Sequence, residues 1–240
     1  MKKILFLLVL LTINNLFAEV TIHDLKIKNI NKNIYLHKSY KQTQDWGMVS
    51  SNGLVVVNGT EAYIIDTPWS EKDTIKLVNW IKNQGYNLAG SISTHSHDDR
   101  SSGIKWLNSN SIPTYVSRLT NQLLEKEGKT LAENSFEQSE FWMVKDKIQA
   151  FYPGGGHTID NIVVWLSDSK ILFGGCLVRS KNSKSLGYTE EASIDIWADS
   201  IEKIIAKYPD IKMVVPGHGA SGSIELLEHT KNMARKAADK

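Results

Sequence analysis

Leu88-Ala89-Gly90-Ser91-Ile92-Ser93 runs directly into Thr94-His95-Ser96-His97-Asp98-Asp99-Arg100, and this stretch decides how the chain is read. The first half has the length and apolar content of a buried strand. The second half is a loop rich in metal-ligating side chains. Loops just beyond strand ends are where a rigid scaffold commonly holds functional groups. Two histidines one residue apart can point the same way from an extended or turning backbone. Asp99 adds an oxygen donor two positions on. Imidazole and carboxylate are the usual donors to zinc. A polar loop with incidental histidines is the lesser alternative for this segment taken alone.

Three further donors stand in matching contexts. His157 follows Gly154-Gly155-Gly156, Cys176 follows Gly174-Gly175, and His218 sits in Pro216-Gly217-His218-Gly219. Each is expected at a strand exit, where glycine lets the backbone turn sharply and approach closely. The chain has seven histidines, and His23, His37 and His229 have no such surroundings. Three neutral imidazoles, from His95, His97 and His157, would leave a tetrahedral zinc one open position for water, whose pKa then falls to about 7. Asp99, Cys176 and His218 would make a second site. Cys176 is the only cysteine, so it has no intramolecular disulfide partner. A buried core thiol is one reading of it. Metal ligation is the other, and would explain a lone thiol persisting in an oxidising compartment.

The rest of the chain reads as strands followed by strands and helices in turn. Strands are expected at 34–37, 54–57 and 62–65, broken by turns at Asn52-Gly53 and Asn58-Gly59. Ser70 then suits a helix N-cap, with Glu71 and Asp73 at the positive end and Gly85 as the stop. Further helices are expected at 103–108, 117–127, 194–207 and 224–238. Further strands are expected at 88–93, 114–116, 148–152, 162–166, 170–173 and 212–215. The pattern suggests two packed sheets with helices outside. With 240 residues, 41% hydrophobic and 22% charged, the composition is that of an ordinary globular domain. A net charge of only +2 with no basic stripe gives nucleic acid no electrostatic footprint.

At the N-terminus, Met1-Lys2-Lys3 is followed by the apolar run Ile4–Ile13 and then by Asn14-Asn15-Leu16-Phe17-Ala18. This is the layout of a secretory signal peptide cleaved after Ala18. The run is shorter than the roughly 20 residues that span a bilayer. The expected organisation is a signal segment over 1–18 and one domain over 19–240, exported to the periplasm with no membrane attachment after cleavage.

The six donors together resemble the class B β-lactamases of the metallo-β-lactamase superfamily, in the subclass with three histidines on one zinc and Asp, Cys and His on the other. The His-X-His-X-Asp motif is shared across that superfamily. Glyoxalase-type and nuclease-type members usually carry a further His directly after the motif Asp and a bridging Asp. Here Arg100 and Cys176 stand in those places, which is the lactamase pattern. Ile65-Asp66-Thr67-Pro68-Trp69 resembles the family's segment beneath the metals, so Asp66, like Arg100, is implied to support the ligands from behind. Residues 42–53, with Trp46 and Gly47, resemble the flap that folds over substrate.

The resemblance implies an αβ/βα sandwich with mixed sheets inside and helices outside. It implies two zinc ions and hydrolysis of a β-lactam amide by metal-bound hydroxide, with Asp99 orienting that hydroxide. Arg179, where many relatives have Lys, would bind the substrate carboxylate. Tyr188 stands where many relatives have Asn, and would donate a hydrogen bond or stack on substrate. The implied partner is a small-molecule β-lactam, met by a monomeric protein. Two alternatives stay open: a superfamily hydrolase of thioesters, lactones or phosphodiesters, and a non-catalytic exported zinc-binding protein.

Overall fold

The computed structural model describes residues 23–239. The expected signal segment and its cleavage site lie outside the described residues. Two mixed sheets face each other. The larger has seven strands in sequential order: β1 (Lys26–Asn31), β2 (Ile34–Thr43), β3 (Gly47–Asn58), β4 (Glu61–Ile65), β5 (Asn87–Ile92), β6 (Thr114–Ser117) and β7 (Asn134–Phe136). The first four are antiparallel neighbours, and β4 to β7 run parallel. The smaller sheet comprises β8 (Glu140–Val144), β9 (Ile148–Phe151), β10 (Val163–Leu166), β11 (Ile171–Gly175) and β12 (Met213–Pro216). Its β11 and β12 pair in parallel, and its other pairs are antiparallel.

Helices cover both outer faces, as the sequence pattern suggested. They are α1 (Glu71–Asn83), α2 (Asp98–Ser101), α3 (Ile104–Ser109), α4 (Arg118–Lys126), α5 (Ile194–Lys207) and α6 (Glu225–Ala238). Strand β3 shows why a run such as Leu54-Val55-Val56-Val57 has no polar face. Alternate strand residues point to opposite sides. Leu54 and Val56 enter the core between the sheets, while Val55 and Val57 pack with Leu77, Val78 and Ile81 of α1. Strand β10 repeats the logic. Val164 and Leu166 face the other sheet, and Val163 and Trp165 join Trp197, Ile201 and Ile204 of α5. A strand buried on both faces must be apolar on both.

Ser70 caps α1 as expected, its hydroxyl accepting from the Asp73 amide at 3.1 Å. Asn52-Gly53 corrects the sequence reading. The pair lies inside β3, and the β2–β3 hairpin turns at Gln44-Asp45-Trp46 instead. Gly53 is there for space: a Cβ would sit 2.3 Å from His37 Nε2. Of the segment 42–53 that was expected to act as a flap, only the hairpin tip projects, because Asn52 and Gly53 belong to the buried sheet. Strands β1, β7 and β8 and the short α2 have no counterpart in the sequence reading. In Lys26-Ile27-Lys28-Asn29-Ile30-Asn31 polar residues outnumber apolar ones, as suits an edge strand.

The fold gathers the carboxyl ends of β4, β5, β11 and β12 at one rim. Open parallel sheets characteristically bind ligands beyond those ends. Helix α5 braces the rim from outside. Trp197 is fully buried, and its indole donates to the Leu177 carbonyl at 2.9 Å, one residue past Cys176. We expect Trp197→Ala to cost about 3–5 kcal/mol in chemical denaturation, as for large aromatic truncations in cores. A loss under 1 kcal/mol would contradict this packing.

Candidate metal centre

The three imidazoles of His95, His97 and His157 converge from two loops. Ring centroids are 4.7 Å apart for His95–His97 and 5.1 Å for each of the other pairs. One nitrogen from each lies within 4.8 Å of the others. His97 Nδ1 and His157 Nε2 are 3.2 Å apart. His95 Nε2 is buried and has no hydrogen-bond partner. An orphaned buried nitrogen beside two others costs free energy unless a ligand engages it. Burial, and then the neighbouring His97, push His95 well below the usual imidazole range and His157 down to about 3. Both are therefore neutral at pH 7, the form that ligates metal.

A second trio adjoins the first. Cys176 Sγ lies 3.5 Å from Asp99 Oδ2 and 3.3 Å from His218 Nε2, and the latter two are 3.2 Å apart. Metal–ligand bonds of about 2.1 Å in a tetrahedron put donors about 3.4 Å apart, so the trio has the dimensions of a metal face. Mixed N, O and S donors fit zinc. Each trio supplies three protein donors, whereas structural zinc sites are closed by four.

Beneath the second trio lies Arg100, fully buried. Its Nη2 contacts Asp99 Oδ2 at 2.7 Å, Cys176 Sγ at 3.1 Å and the Gly217 carbonyl at 3.0 Å. Its Nη1 donates to the Asn52 carbonyl at 2.6 Å and to Asp66 Oδ2 at 3.1 Å. Asp66 in turn accepts from the Thr94 amide at 2.6 Å and the Thr94 hydroxyl at 2.9 Å. Burial would raise the Asp99 carboxyl, but Arg100 and then His218 outweigh it and hold it well below the usual range. Burial dominates at Asp66 and pushes it up to about 7, against the pull of Arg100 and Thr94. For His218, burial is outweighed by Cys176 and Asp99, which push it up to about 10.

The donors are fixed by backbone as much as by side chains. His218 Nδ1 lies 2.7 Å from the Ser50 carbonyl. Asn52 Nδ2 donates to the Pro216 and Gly219 carbonyls, each at 2.9 Å. Gly217 must be glycine for close approach, since a Cβ there would lie 2.8 Å from Cys176 Sγ. Two supporting carboxylates escaped the sequence reading. Asp160 Oδ2 accepts from the Ser96 amide at 2.9 Å, between the two motif histidines. Glu191 Oε2 lies 2.5 Å from His97 Nε2. With the proton on Nε2, the Nδ1 lone pair of His97 is left facing the other imidazoles. Nothing in Glu190-Glu191, a polar loop pair, marks it out in sequence.

A cavity of about 690 Å³ opens over both trios. It is lined by the remaining sequence-predicted residues, Trp46, Arg179 and Tyr188, together with His97, His157 and His218. Trp46 is 60% exposed at the hairpin tip and Tyr188 is 41% exposed. The Tyr188 ring stands 5.9 Å from that of His97. Arg179 packs beneath Gly187, whose missing Cβ would lie 3.0 Å from Nη2. No carboxylate among the described residues pairs with Arg179, and burial lowers its pKa. Asp66 and Arg100 lie behind the ligands and do not line the cavity.

The chain matches the metallo-beta-lactamase superfamily over residues 46–218. A protein of Pseudomonas aeruginosa named metallo-beta-lactamase type 2 is 45% identical over 236 residues, covering 98% of this chain and 95% of that one. The solved structure of TMB-1 superposes with a TM-score of 0.89 at 57% identity, covering 90% of this chain and all of that one. The metallo-beta-lactamase FIM-1 from Pseudomonas aeruginosa, solved in a mono-zinc form, gives a TM-score of 0.86 at 32% identity, covering 91% of this chain and 98% of that one.

Two outcomes follow for metal binding. A metal at the second trio must displace a proton from His218, held up to about 10, so its affinity should fall about tenfold per pH unit on acidification from neutrality. His95 and His157 carry no such proton at pH 6–8. Dialysis at pH 8 and then pH 6 should lower the metal held per chain, measured by mass spectrometry. Stoichiometry independent of pH would contradict this. Glu191→Ala should weaken metal affinity at the three-imidazole trio by about 10–100-fold in chelator competition. Glu191→Gln, which still offers an acceptor, should lose less.

Proposed function

This chain belongs to the metallo-β-lactamase superfamily, and from that premise we propose that it is an exported, zinc-dependent β-lactamase. Its substrates are penicillin-, cephalosporin- and carbapenem-type antibiotics, and its action confers resistance to them. The observation that carries the reading is the second trio: a sulfur donor, Cys176, with Arg100 filling the ground behind it. That combination leaves no place for the additional histidine of the thioester-, lactone- or phosphodiester-cleaving members.

His95, His97 and His157 would hold one zinc, and Asp99, Cys176 and His218 the other. Bound zinc supplies Lewis acidity towards the lactam carbonyl and the departing nitrogen, and lowers the pKa of water to about 7. The chain's own residues do the rest. Arg100 keeps the Asp99 carboxylate ionised, so Asp99 can accept a hydrogen bond from the attacking water and orient it. Arg179, free of any internal carboxylate among the described residues, offers two parallel N–H donors to the substrate carboxylate. Trp46 on the hairpin tip covers the bound ring system, and Tyr188 forms the wall beside His97. Every one of these groups comes from one chain, so a single copy carries the whole site. The reading of export to the periplasm is supported by the Lys2-Lys3 head, the apolar run and Ala18, the layout of a signal segment ending before Glu19.

The purified mature protein should open a chromogenic cephalosporin, lose that activity to a chelator and regain it with zinc. No turnover by zinc-loaded protein would sink the reading. Arg179→Ala should raise KM about tenfold or more while changing kcat less, as befits a contact made in both ground and transition states. Terminal sequencing of the periplasmic protein should begin at Glu19.

A further inference from the structure

His37 is a buried histidine that neither trio uses, and it lies 1% exposed on β2. Its cross-strand partner on β3 is Gly53, and Leu54 of β3 pairs with Ile65 of β4. Asp66 thus follows the end of β4 one strand beyond Gly53. The imidazole passes over the bare glycine and reaches the Asp66 carbonyl, with Nε2 to oxygen at 3.0 Å. A Cβ on Gly53 would sit 2.3 Å from that Nε2 and 2.8 Å from that oxygen. Glycine therefore opens the path that lets one side chain span a neighbouring strand.

The residue so reached has an unusual backbone. Asp66 has φ of 58°, the left-handed region that non-glycine residues enter at a cost and keep only when their surroundings enforce it. Its amide donates to the Ile92 carbonyl at 2.8 Å, and its carbonyl meets His37. That conformation aims the carboxylate at Thr94 and at Arg100 Nη1. Arg100 in turn touches Asp99 and Cys176. Burial pushes His37 down to about 3, so the ring is neutral and carries one proton, for which the Asp66 carbonyl is an acceptor.

We propose that His37 is a positioning residue of the metal centre: its N–H locks the left-handed backbone of Asp66 and thereby fixes Arg100 beneath the Asp99–Cys176–His218 trio. A backbone flip at Asp66 would withdraw a carboxylate from Arg100 and let the guanidinium shift against its remaining acceptors, Asp99 and Cys176 among them. The inference rests on the metal-binding reading given above and extends it to a side chain outside the cavity.

The test compares His37→Leu, which fills space without a donor, with His37→Gln, whose amide nitrogen has the reach of Nε2. Cobalt(II) titration reads the sulfur-to-metal charge-transfer band of Cys176, and chelator competition reads affinity. His37→Leu should bind the second metal about tenfold more weakly, with a diminished band, and His37→Gln should recover most of both. If His37→Leu does not fold, His37→Asn replaces it, polar but one atom short of the carbonyl, and should show the same weakening. Variants that lose thermal stability while keeping wild-type cobalt affinity and band would overturn the role of His37. Wild-type protein that binds no second metal would instead overturn the underlying reading, so the two failures are distinct.

Discussion

A single buried guanidinium organises this molecule. Arg100 is sealed from solvent, where an unpaired charge would be prohibitively costly. The fold meets that cost by surrounding it with the carboxylates of Asp66 and Asp99, the Cys176 sulfur and the carbonyls of Asn52 and Gly217. A planar group with a fixed fork of donors can serve acceptors from several directions at once, and a lysine cannot. These acceptors come from β3, from the ends of β4 and β11, from α2 and from the turn after β12. One side chain therefore ties the seven-stranded sheet to the five-stranded one at the rim where the metal donors stand. It also sets their electrostatics, since Asp99 stays ionised against its own burial because of Arg100.

The two trios differ in kind because of where Arg100 lies. In the three-imidazole trio burial keeps His95 and His157 neutral, and Glu191 backs His97. The Asp99–Cys176–His218 trio is charged and sits directly on the cation. A metal at the first trio would meet no proton on His95 or His157. A metal at the second would displace the proton that Asp99 and Cys176 favour on His218, and would share Asp99 and Cys176 with a fixed guanidinium. The fold thus builds two unequal sets of potential metal donors only a few ångströms apart, and the inequality follows from charge placement rather than from donor geometry.

Much of this was legible in the sequence, for a physical reason. Donors at strand exits carry a local mark, because glycine is needed where backbone turns or packs closely. His157, Cys176 and His218 stood out that way, and His95, His97 and Asp99 by their spacing after a strand; the structure brings the six side chains together as two trios. The helix at 194–207 was equally plain, because its apolar spacing is long and regular. What stayed hidden depends on contacts between segments far apart in sequence. Glu191 and Asp160 look like ordinary loop acids until the fold sets them against His97 and Ser96. Asn52-Gly53 looks like a turn, because the steric reason for that glycine is an imidazole on a neighbouring strand. Polar edge strands such as β1 carry no apolar alternation, so their pairing shows only in three dimensions.

The contrast between the two sides of the cavity bears on how substrate range and metal binding can vary separately. On the metal side the groups are buried and fixed several times over: Asp66 by Thr94 and Arg100, His218 by Ser50, the turn after β12 by Asn52. On the opposite side of the cavity Trp46 and Tyr188 are exposed and held by few bonds, and the Arg179 guanidinium meets no internal carboxylate among the described residues. A change at Tyr188 or Trp46 removes little that the core depends on, whereas a change at Arg100 leaves buried anions without their cation. Substitution at the wall should therefore shift which molecules are accepted without disturbing the metal donors. A residue such as Tyr188, in a place where relatives often carry Asn, is the kind of difference such an architecture tolerates.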